Sequence, residues 1–264
     1  MKVDAHVHCF PDRLALAVRE RLGARGGLTA GALLPDVAES VKANGFDSAW
    51  ILPYAHRAGV AESANEWSAR EVSRYPWLVA GATFHPADED LPQLVERALG
   101  DLGLRVVKLH CSVGAFSPAD ARLEPLWQAA SERAVPVVVH AGQVGGGESL
   151  AEEVEQLAPV LAAHPRLRMV LAHTGHPATA STLALMERFD NLYADTTPVW
   201  DSYPRIPVKT LNRFAGRFLF GSDAPNNPAS ARDQAEWWSR AGTEAAALEM
   251  LLGGAAAALM PKPV

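Results

Sequence analysis

The feature that most constrains the fold is a regular alternation of short apolar segments with longer amphipathic ones. The amphipathic stretches, such as "LEPLWQAASERA" (123–134), have helical spacing and are long enough to cross back over a sheet. This alternation predicts parallel strands joined by right-handed crossovers. Eight apolar segments are candidate strands: "VDAHVH" (3–8), "FDSAWILPY" (46–54), "WLVAGATFH" (77–85), "LRVVKLH" (104–110), "VPVVVHA" (135–141), "LRMVLAHTG" (167–175), "NLYADTT" (191–197) and "RFLFGSDA" (217–224).

Eight strand and helix units in 264 residues are what a (β/α)₈ TIM barrel requires. The alternative is an open doubly wound sheet. No glycine-rich G-x-G-x-x-G fingerprint follows an early strand, which disfavours that alternative. We therefore predict an α/β protein with one TIM-barrel domain over residues 1–264. The segment "GGLTAGALLPD" (26–36) is the best candidate for an insertion or lid after the first strand.

Composition excludes several classes of protein. A hydrophobic content of 48% with 20% charged residues is ordinary for a globular domain with a sizeable core. The net charge of −6 argues against a nucleic-acid partner, because such surfaces need clustered Lys and Arg. Two cysteines, Cys9 and Cys111, exclude a disulfide framework, and the apolar runs are too short to span a membrane. Because strand-like sequence begins at Lys2, we expect no signal peptide and a cytoplasmic location.

Polar side chains recur at the carboxyl end of the candidate strands. In a TIM barrel these ends converge on one mouth, where catalytic groups come from several strands. A lone buried histidine is usually structural, but metal-type ligands from several strands are improbable by chance. The residues are His6 and His8 on the first segment, His85 on the third, Lys108 and His110 on the fourth, His140 on the fifth, His173 on the sixth and Asp223 on the eighth.

The first segment predicts a metal site most directly. Side chains alternate along a strand, so Asp4, His6 and His8 are expected on one face, opposite Val3, Ala5 and Val7. Imidazole and carboxylate ligands suit zinc, which lowers the pKa of its bound water towards ~7 and polarises a carbonyl oxygen. Asp223 can accept a proton from that water.

These segments carry a resemblance to a known family. "VDAHVH", "SANEWSAREVSRYPWLVAGATFHP" (63–86), "VVKLH", "VPVVVHAG", "VLAHTG" and "FLFGSDAP" resemble the amidohydrolase superfamily, over essentially the whole chain. The similar branch contains aminocarboxymuconate-semialdehyde decarboxylase and related metal-dependent hydrolases. The resemblance implies a metal-dependent barrel in which His6, His8, His140 and Asp223 bind one zinc ion. It also implies that His173 orients or deprotonates the attacking water. The chain is shorter than the decarboxylases of this branch, so trimmed substrate loops are expected.

Lys108 and His110 are additional candidate ligands. In other branches of the superfamily a lysine at this strand end is carboxylated and bridges two metals. His6, His8 and Asp223 would then hold one ion, and His140 and His173 the other. The alternative is that Lys108 is a cation paired with an aspartate or a substrate carboxylate, which leaves one metal.

Other residues near the strand ends have weaker assignments. His85 and His176 are expected to lie in loops or to contact the metal ligands without binding the metal. Cys9 and Cys111 are expected to be buried thiols rather than ligands.

Three residues are candidates for substrate binding: Arg57 after the second strand, and Trp200 and Tyr203 after the seventh. Together they could hold a small carboxylate with a planar portion, since Arg matches carboxylate geometry and Trp offers a flat wall. The alternative is that Arg57 is solvated and Trp200 caps the barrel.

Three functions follow from these residues. The first is hydrolysis of a C–O or C–N bond in a small carbonyl compound, such as a lactone, amide or ester. The second is non-oxidative decarboxylation of a small unsaturated or aromatic acid. The third is a non-catalytic barrel, because fold does not fix function. The expected partner is a small molecule, with no nucleic acid and no membrane, and the sequence leaves open whether the chain forms a homo-oligomer.

Overall fold

The computed structural model describes residues 1–23, 31, 33–141, 151–197, 206–226 and 228–261. Within those ranges, eight strands form one sheet in the order β1 to β8, and every neighbouring pair is parallel. Each strand falls inside one of the eight predicted segments. They are β1 Val3–Val7, β2 Ser48–Ile51, β3 Leu78–Thr83, β4 Val106–His110, β5 Val137–His140, β6 Met169–Leu171, β7 Leu192–Asp195 and β8 Phe218–Leu219.

Helices follow the strands and cover the outside of the sheet. In the described part of the chain they are α1 Asp12–Gly23, α2 Leu34–Ala43, α3 Ala61–Glu71, α4 Leu91–Glu96, α5 Cys111–Gly114, α6 Glu124–Arg133, α7 Ala151–Glu155, α8 Leu157–Ala163, α9 Thr179–Arg188, α10 Val208–Arg213, α11 Ala231–Arg240, α12 Ala245–Glu249 and α13 Ala255–Leu259. Short 3₁₀ turns lie at Val72–Arg74, Ala121–Leu123, Ala172–Gly175 and Ala215–Arg217, and π-helical turns at Arg97–Asp101 and Met250–Gly254.

Local sequence explains where these helices begin and which face they bury. In α11 the Ser230 side chain accepts a hydrogen bond from the Asp233 backbone N–H and so satisfies a donor of the first turn. Gln234 and Trp238, one turn apart, are buried on the same face. The result is a helix that starts at a cap and packs one stripe against the barrel.

The sheet closes through the chain that follows β8. The backbone N–H of Ala5 donates to Phe220 O at 2.8 Å, and that of His8 donates to Ala224 O at 2.7 Å. The predicted (β/α)₈ barrel is therefore confirmed. β8 itself is short because the chain after Leu219 leaves regular strand geometry while it still pairs with β1.

The apolar core has two layers. The outer layer lies between the strands and the helices and contains Val107, Val137 and Leu171. The inner layer fills the barrel, and α13 packs against it with Ala255, Ala256 and Leu259. Inner-layer side chains from the strands include Trp50, Val106, Val138, Val170 and Leu219. The amino-terminal end of the barrel is thus filled by apolar side chains, which leaves the opposite end for polar groups.

Strand β1 departs from the predicted alternation. Asp4 pairs with Ala49 and Val7 with Ile51, so three steps along β1 match two along β2, as in a β-bulge. Val3 and Ala5 consequently pack in the inner layer. Asp4 instead lines a small cavity with residues of α2. The expectation that Asp4 shares a face with His6 and His8 is wrong, because the bulge reverses the direction of the side chains between them.

Most of the predicted lid, residues 26–36, lies outside the described residues, although α2 begins within it at Leu34. Among the helices that the structure describes, none has both the length and the apolar character needed to cross a bilayer.

Candidate metal centre and its surroundings

His6 of β1 and His8, one residue after the strand ends, are each held in a defined tautomer. Nδ1 of His8 lies 2.8 Å from the carbonyl oxygen of Leu52, which can only accept, so this nitrogen carries the hydrogen. Nδ1 of His6 lies 2.8 Å from Oδ2 of Asp195. Each ring therefore turns an unprotonated Nε2 towards the barrel axis.

These lone pairs meet a third acceptor. Nε2 of His6 and Nε2 of His8 are 3.1 Å apart, and Oδ1 of Asp223 lies 3.2 Å from His8 Nε2 and 4.0 Å from His6 Nε2. Three acceptor atoms this close repel one another unless a cation or a proton lies among them. Two imidazole nitrogens and a carboxylate oxygen are the donor set that a zinc-type ion prefers, so the residues fit a divalent metal. The three side chains belong to one group whose ligand atoms lie within 4.8 Å of each other.

Burial keeps the His6 imidazole neutral and available as a ligand. Burial first, and the charge of Lys108 second, hold the pKa of His6 well below its usual value. Burial opposes the charge on Asp223, but a proton shared with His8 Nε2, or a cation in its place, favours that charge, so the pKa of this carboxyl lies below its usual range. The cluster therefore combines the neutral imidazole of His6 with an ionised carboxylate at neutral pH.

Lys108 lies deeper in the barrel than these ligands. Its side chain is fully buried, and Nζ lies 3.3 Å from His6 Nε2. Burial lowers the pKa of Lys108 to about 8, although the charges of Asp195 and Asp223 oppose the shift. An amine so placed is close enough to the predicted metal to interact with it, which keeps both predicted roles of Lys108 open.

His140 of β5 and His173, in the 3₁₀ turn after β6, form a second part of the cluster. Nε2 of His173 lies 3.1 Å from Nδ1 of His140, while Nδ1 of His173 lies 3.1 Å from the carbonyl oxygen of Thr197. That carbonyl fixes the hydrogen on Nδ1 of His173, so its Nε2 faces the site as an acceptor. Burial lowers the pKa of His173, which is therefore a neutral base. The His6 and His173 rings are 4.9 Å apart, so the two parts adjoin.

An arc of flat side chains borders the site. The rings of His110 and His140 stack at 4.0 Å with an interplanar angle of 18°. Tyr54 packs edge-on against both His8 and His110, with ring centroids 5.4 and 4.8 Å away, and Phe10 packs against Tyr54 at 4.8 Å. His110 therefore contributes a stacked ring to the wall. Such a surface suits a planar ligand.

The backbone at the mouth adopts conformations that ordinary residues seldom take. His173, Thr174 and Asp223 have φ angles of 56°, 48° and 58°, in the left-handed region. Backbone strain of this kind clusters at functional sites. Gly221 meets a different constraint, because a Cβ there would overlap the side chains of Thr197 and His6. The chain after β8 needs this glycine to approach β1 closely.

Two buried carboxylates, Asp195 and Asp4, support the site, and Asp195 was not recognised from the sequence. Asp195 at the end of β7 accepts hydrogen bonds from His6 Nδ1, from the backbone N–H of His173 at 2.8 Å and from that of Thr197 at 3.2 Å. Burial raises the pKa of Asp195, but the donors on both oxygens favour its ionised form. Asp4 accepts from the backbone N–H of His6 and of Ser222 and so ties β1 to the segment after β8. Asp195 follows the same strand-end pattern that singled out the histidines, so that pattern could have found it.

The remaining predicted residues lie apart from the cluster or outside the described chain. Arg57 is exposed, and Trp200 and Tyr203 lie outside the described residues. Nε2 of His85 lies 2.9 Å from the carbonyl oxygen of Gly114, which links the chain after β3 to the end of α5. Cys9 and Cys111 are buried, and burial raises the pKa of both thiols to about 12.

The sequence matches the family model described as Amidohydrolase over residues 3–262. The chain therefore belongs to the amidohydrolase family, and the prediction of an enzyme of this superfamily is confirmed. No curated protein sequence matches the chain.

Solved structures share the fold at low sequence identity. An uncharacterised TIM-barrel protein from Bordetella bronchiseptica is 21% identical, with a TM-score of 0.75 over 98% of this chain and 97% of that one. A 4-oxalomesaconate hydratase from Rhodopseudomonas palustris is 16% identical, with a TM-score of 0.68 over 99% and 96%. A 5-carboxyvanillate decarboxylase from Novosphingobium aromaticivorans, with bound manganese and a nitrobenzoic acid derivative, is 13% identical, with a TM-score of 0.69 over 96% and 94%. At these identities the likeness shows a common fold.

Proposed function

We propose that the protein is a metal-dependent hydrolase of a small carbonyl compound, with a single zinc ion held by His6, His8, His140 and Asp223. The observation that carries the proposal is the convergence of His6 Nε2, His8 Nε2 and Asp223 Oδ1, three acceptors within 4.0 Å of one another. A zinc ion bound there would act as a Lewis acid and supply hydroxide at neutral pH. His140 is included because the family resemblance implies it, and its Nδ1 lies 3.1 Å from His173 Nε2, whose ring adjoins that of His6.

His173 is the proposed proton carrier. Its Nε2 is an acceptor that faces the cluster, and its lowered pKa keeps it neutral at pH 7. In hydrolysis the water oxygen adds to the carbonyl carbon while His173 Nε2 takes the proton. The C–O or C–N bond then breaks, and the same proton goes to the leaving oxygen or nitrogen. Asp223, ionised and partly exposed, is the second group that can accept a proton from the water.

Decarboxylation is the second candidate, and the aromatic wall favours it. The stacked rings of His110 and His140, together with Tyr54, offer a flat surface for a planar unsaturated acid. The manganese-bound structural neighbour is a decarboxylase of such an acid. In this reaction the bond to the carboxylate carbon breaks, carbon dioxide leaves, and His173 or water protonates the remaining carbon.

A substrate screen distinguishes the two reactions. Purified protein loaded with zinc or with manganese is tested against lactones, amides and carboxylated aromatics, while carbon dioxide and ring-opened or cleaved products are measured. The proposal expects turnover of a lactone, amide or ester that is lost in a His173→Asn variant. Carbon dioxide release from a planar acid without hydrolysis would replace the first proposal by the second, and metal-loaded protein that turns over no compound of either class would contradict both.

A further inference from the structure

The carboxylate of Asp195 lies between two parts of the site. It is fully buried at the end of β7, 189 residues from His6 in the chain, and donors approach it from two sides. Oδ2 receives the His6 ring, while Oδ1 receives the backbone N–H groups of His173 and Thr197. A buried side chain that accepts hydrogen bonds from both groups is in a position to control their geometry.

We propose that Asp195 is a positioning residue that fixes the tautomer of His6 and the backbone turn carrying His173. The inference rests on the proposed metal site, because it assigns a function to the nitrogen that His6 turns away from that site. With the hydrogen held on Nδ1 by Asp195, Nε2 of His6 stays unprotonated. Lys108 Nζ, 3.3 Å from Nε2, is a donor and fits the same assignment.

The same carboxylate stabilises the turn after β6. His173 and Thr174 both have left-handed backbone angles, a conformation that needs support from its surroundings. Oδ1 of Asp195 accepts from the backbone N–H of His173, and the backbone oxygen of Asp195 accepts from the Thr174 hydroxyl at 2.7 Å. Asp195 therefore links the position of a metal-ligand candidate to that of the proton carrier.

An isosteric variant gives a sharp test. The amide of Asp195→Asn has one oxygen, which accepts, and one NH₂ group, which donates. In the wild type both oxygens of Asp195 receive hydrogen-bond donors. The backbone N–H groups of His173 and Thr197 cannot become acceptors, but the His6 ring can, by moving its hydrogen from Nδ1 to Nε2. Asp195→Asn should therefore place its NH₂ group against His6 Nδ1 and shift His6 to the Nε2–H tautomer, which blocks its lone pair.

The tautomer is read directly by nitrogen-15 NMR of labelled histidine side chains in metal-free protein, with His6 assigned by its loss in His6→Asn. We expect Nδ1–H in the wild type and Nε2–H in Asp195→Asn. Asp88→Asn is the matched control. Asp88 is also buried and accepts two backbone N–H groups, those of Gly59 and His85, on its two oxygens, but it contacts neither His6 nor His173. This control should leave the His6 tautomer unchanged.

Metal affinity is the second measurement. We expect Asp195→Asn to weaken zinc binding by about 10- to 100-fold, the usual effect of changing the hydrogen-bond partner of a metal-bound histidine. Asp195→Ala removes the hydrogen bond to the His6 ring without imposing a tautomer, so it should weaken zinc binding less. Wild-type His6 in the Nε2–H form, or an Asp195→Asn variant that keeps Nδ1–H, would overturn the proposal. A larger loss in the Ala variant than in the Asn variant would instead make Asp195 a ligand, as in the second group of close ligand atoms, His6, His173 and Asp195. Since the tautomer is read without metal, these results stand whether or not the proposed hydrolase activity is found.

Discussion

The two ends of the barrel are built on opposite principles. At the amino-terminal end, α13 closes the interior with alanines and Leu259 against Trp50, Val106 and Val138, and each of these buried side chains contributes apolar area to stability. At the mouth the barrel instead buries His6, Lys108, His173 and Asp195, which costs free energy unless hydrogen bonds compensate. The same strands supply both ends.

The difference shows how one strand can serve both purposes. In β4, Val106 lies in the inner apolar layer, whereas Lys108 and His110, further along the same face, reach the polar mouth. Substitutions at the bottom should therefore change stability without changing metal binding, and substitutions at the mouth should do the reverse. The predictions below test this separation.

The largest effect is expected for His8→Ala. The substitution removes one of the three converging acceptors. Zinc affinity should therefore fall by more than about 100-fold, which exceeds the loss expected when a residue that only hydrogen-bonds a ligand is substituted. The barrel should stay folded, because the ligands lie at its rim. Elemental analysis and circular dichroism measure the two outcomes. His164→Ala, which removes a histidine paired with Glu124 at the end of α8, is the control and should keep full metal binding. Equal metal content in both variants would exclude His8 from the site.

His173→Asn should retain metal but lose at least about 10²-fold in kcat on a substrate found by the screen, the usual contribution of a positioned general base. The physical reason is that an amide cannot take a proton as the neutral Nε2 of His173 does. If the variant loses metal instead, His173 is a ligand, and unchanged turnover would leave it a structural histidine.

Leu259→Ala tests the bottom of the barrel. Leu259 is 2% exposed in the inner layer, so its truncation should lower the free energy of unfolding by about 2–5 kcal/mol, as for other buried leucines. Chemical denaturation measures the change. Zinc affinity of the folded variant should equal that of the wild type, and a parallel loss of metal affinity would show that the two ends are not independent.

Lys108→Ala should leave the number of bound metals at one per chain, with or without bicarbonate. The expectation follows from the convergence of His6, His8 and Asp223, since the other group of close ligand atoms, His6, His173 and Asp195, shares His6 with it. Metal analysis of wild type and variant checks it. Two ions in the wild type that fall to one or none in the variant would mean that a carboxylated lysine bridges a pair of metals, roughly 3.5 to 4 Å apart.

The smallest effect is expected at the cysteines. Cys9 and Cys111 directly follow His8 and His110, yet they pack in the outer layer. Burial raises the pKa of both thiols to about 12, so neither should react with iodoacetamide at pH 8 in the folded protein. Mass spectrometry detects the modification. Rapid labelling of the native chain, slowed by added zinc, would place a cysteine in the metal site.

The alternation of apolar and amphipathic segments was enough to predict all eight strands, because strand and helix periods are local properties of the sequence. The converging histidines were predictable for the same reason, since the strand ends of a barrel meet. The bulge in β1 was not, because it depends on how Val7 pairs with Ile51 of another strand. The role of Asp195 depends on His6, 189 residues away, and on the left-handed turn at His173, neither of which a local pattern encodes.

The most direct test of the metal centre is anomalous diffraction at the zinc edge from crystals of zinc-loaded protein. The account predicts one peak per chain, at roughly 2.0 to 2.2 Å from His6 Nε2, His8 Nε2, His140 and an oxygen of Asp223. A peak coordinated by Asp195 and His173 instead, or two peaks joined by Lys108, would contradict it.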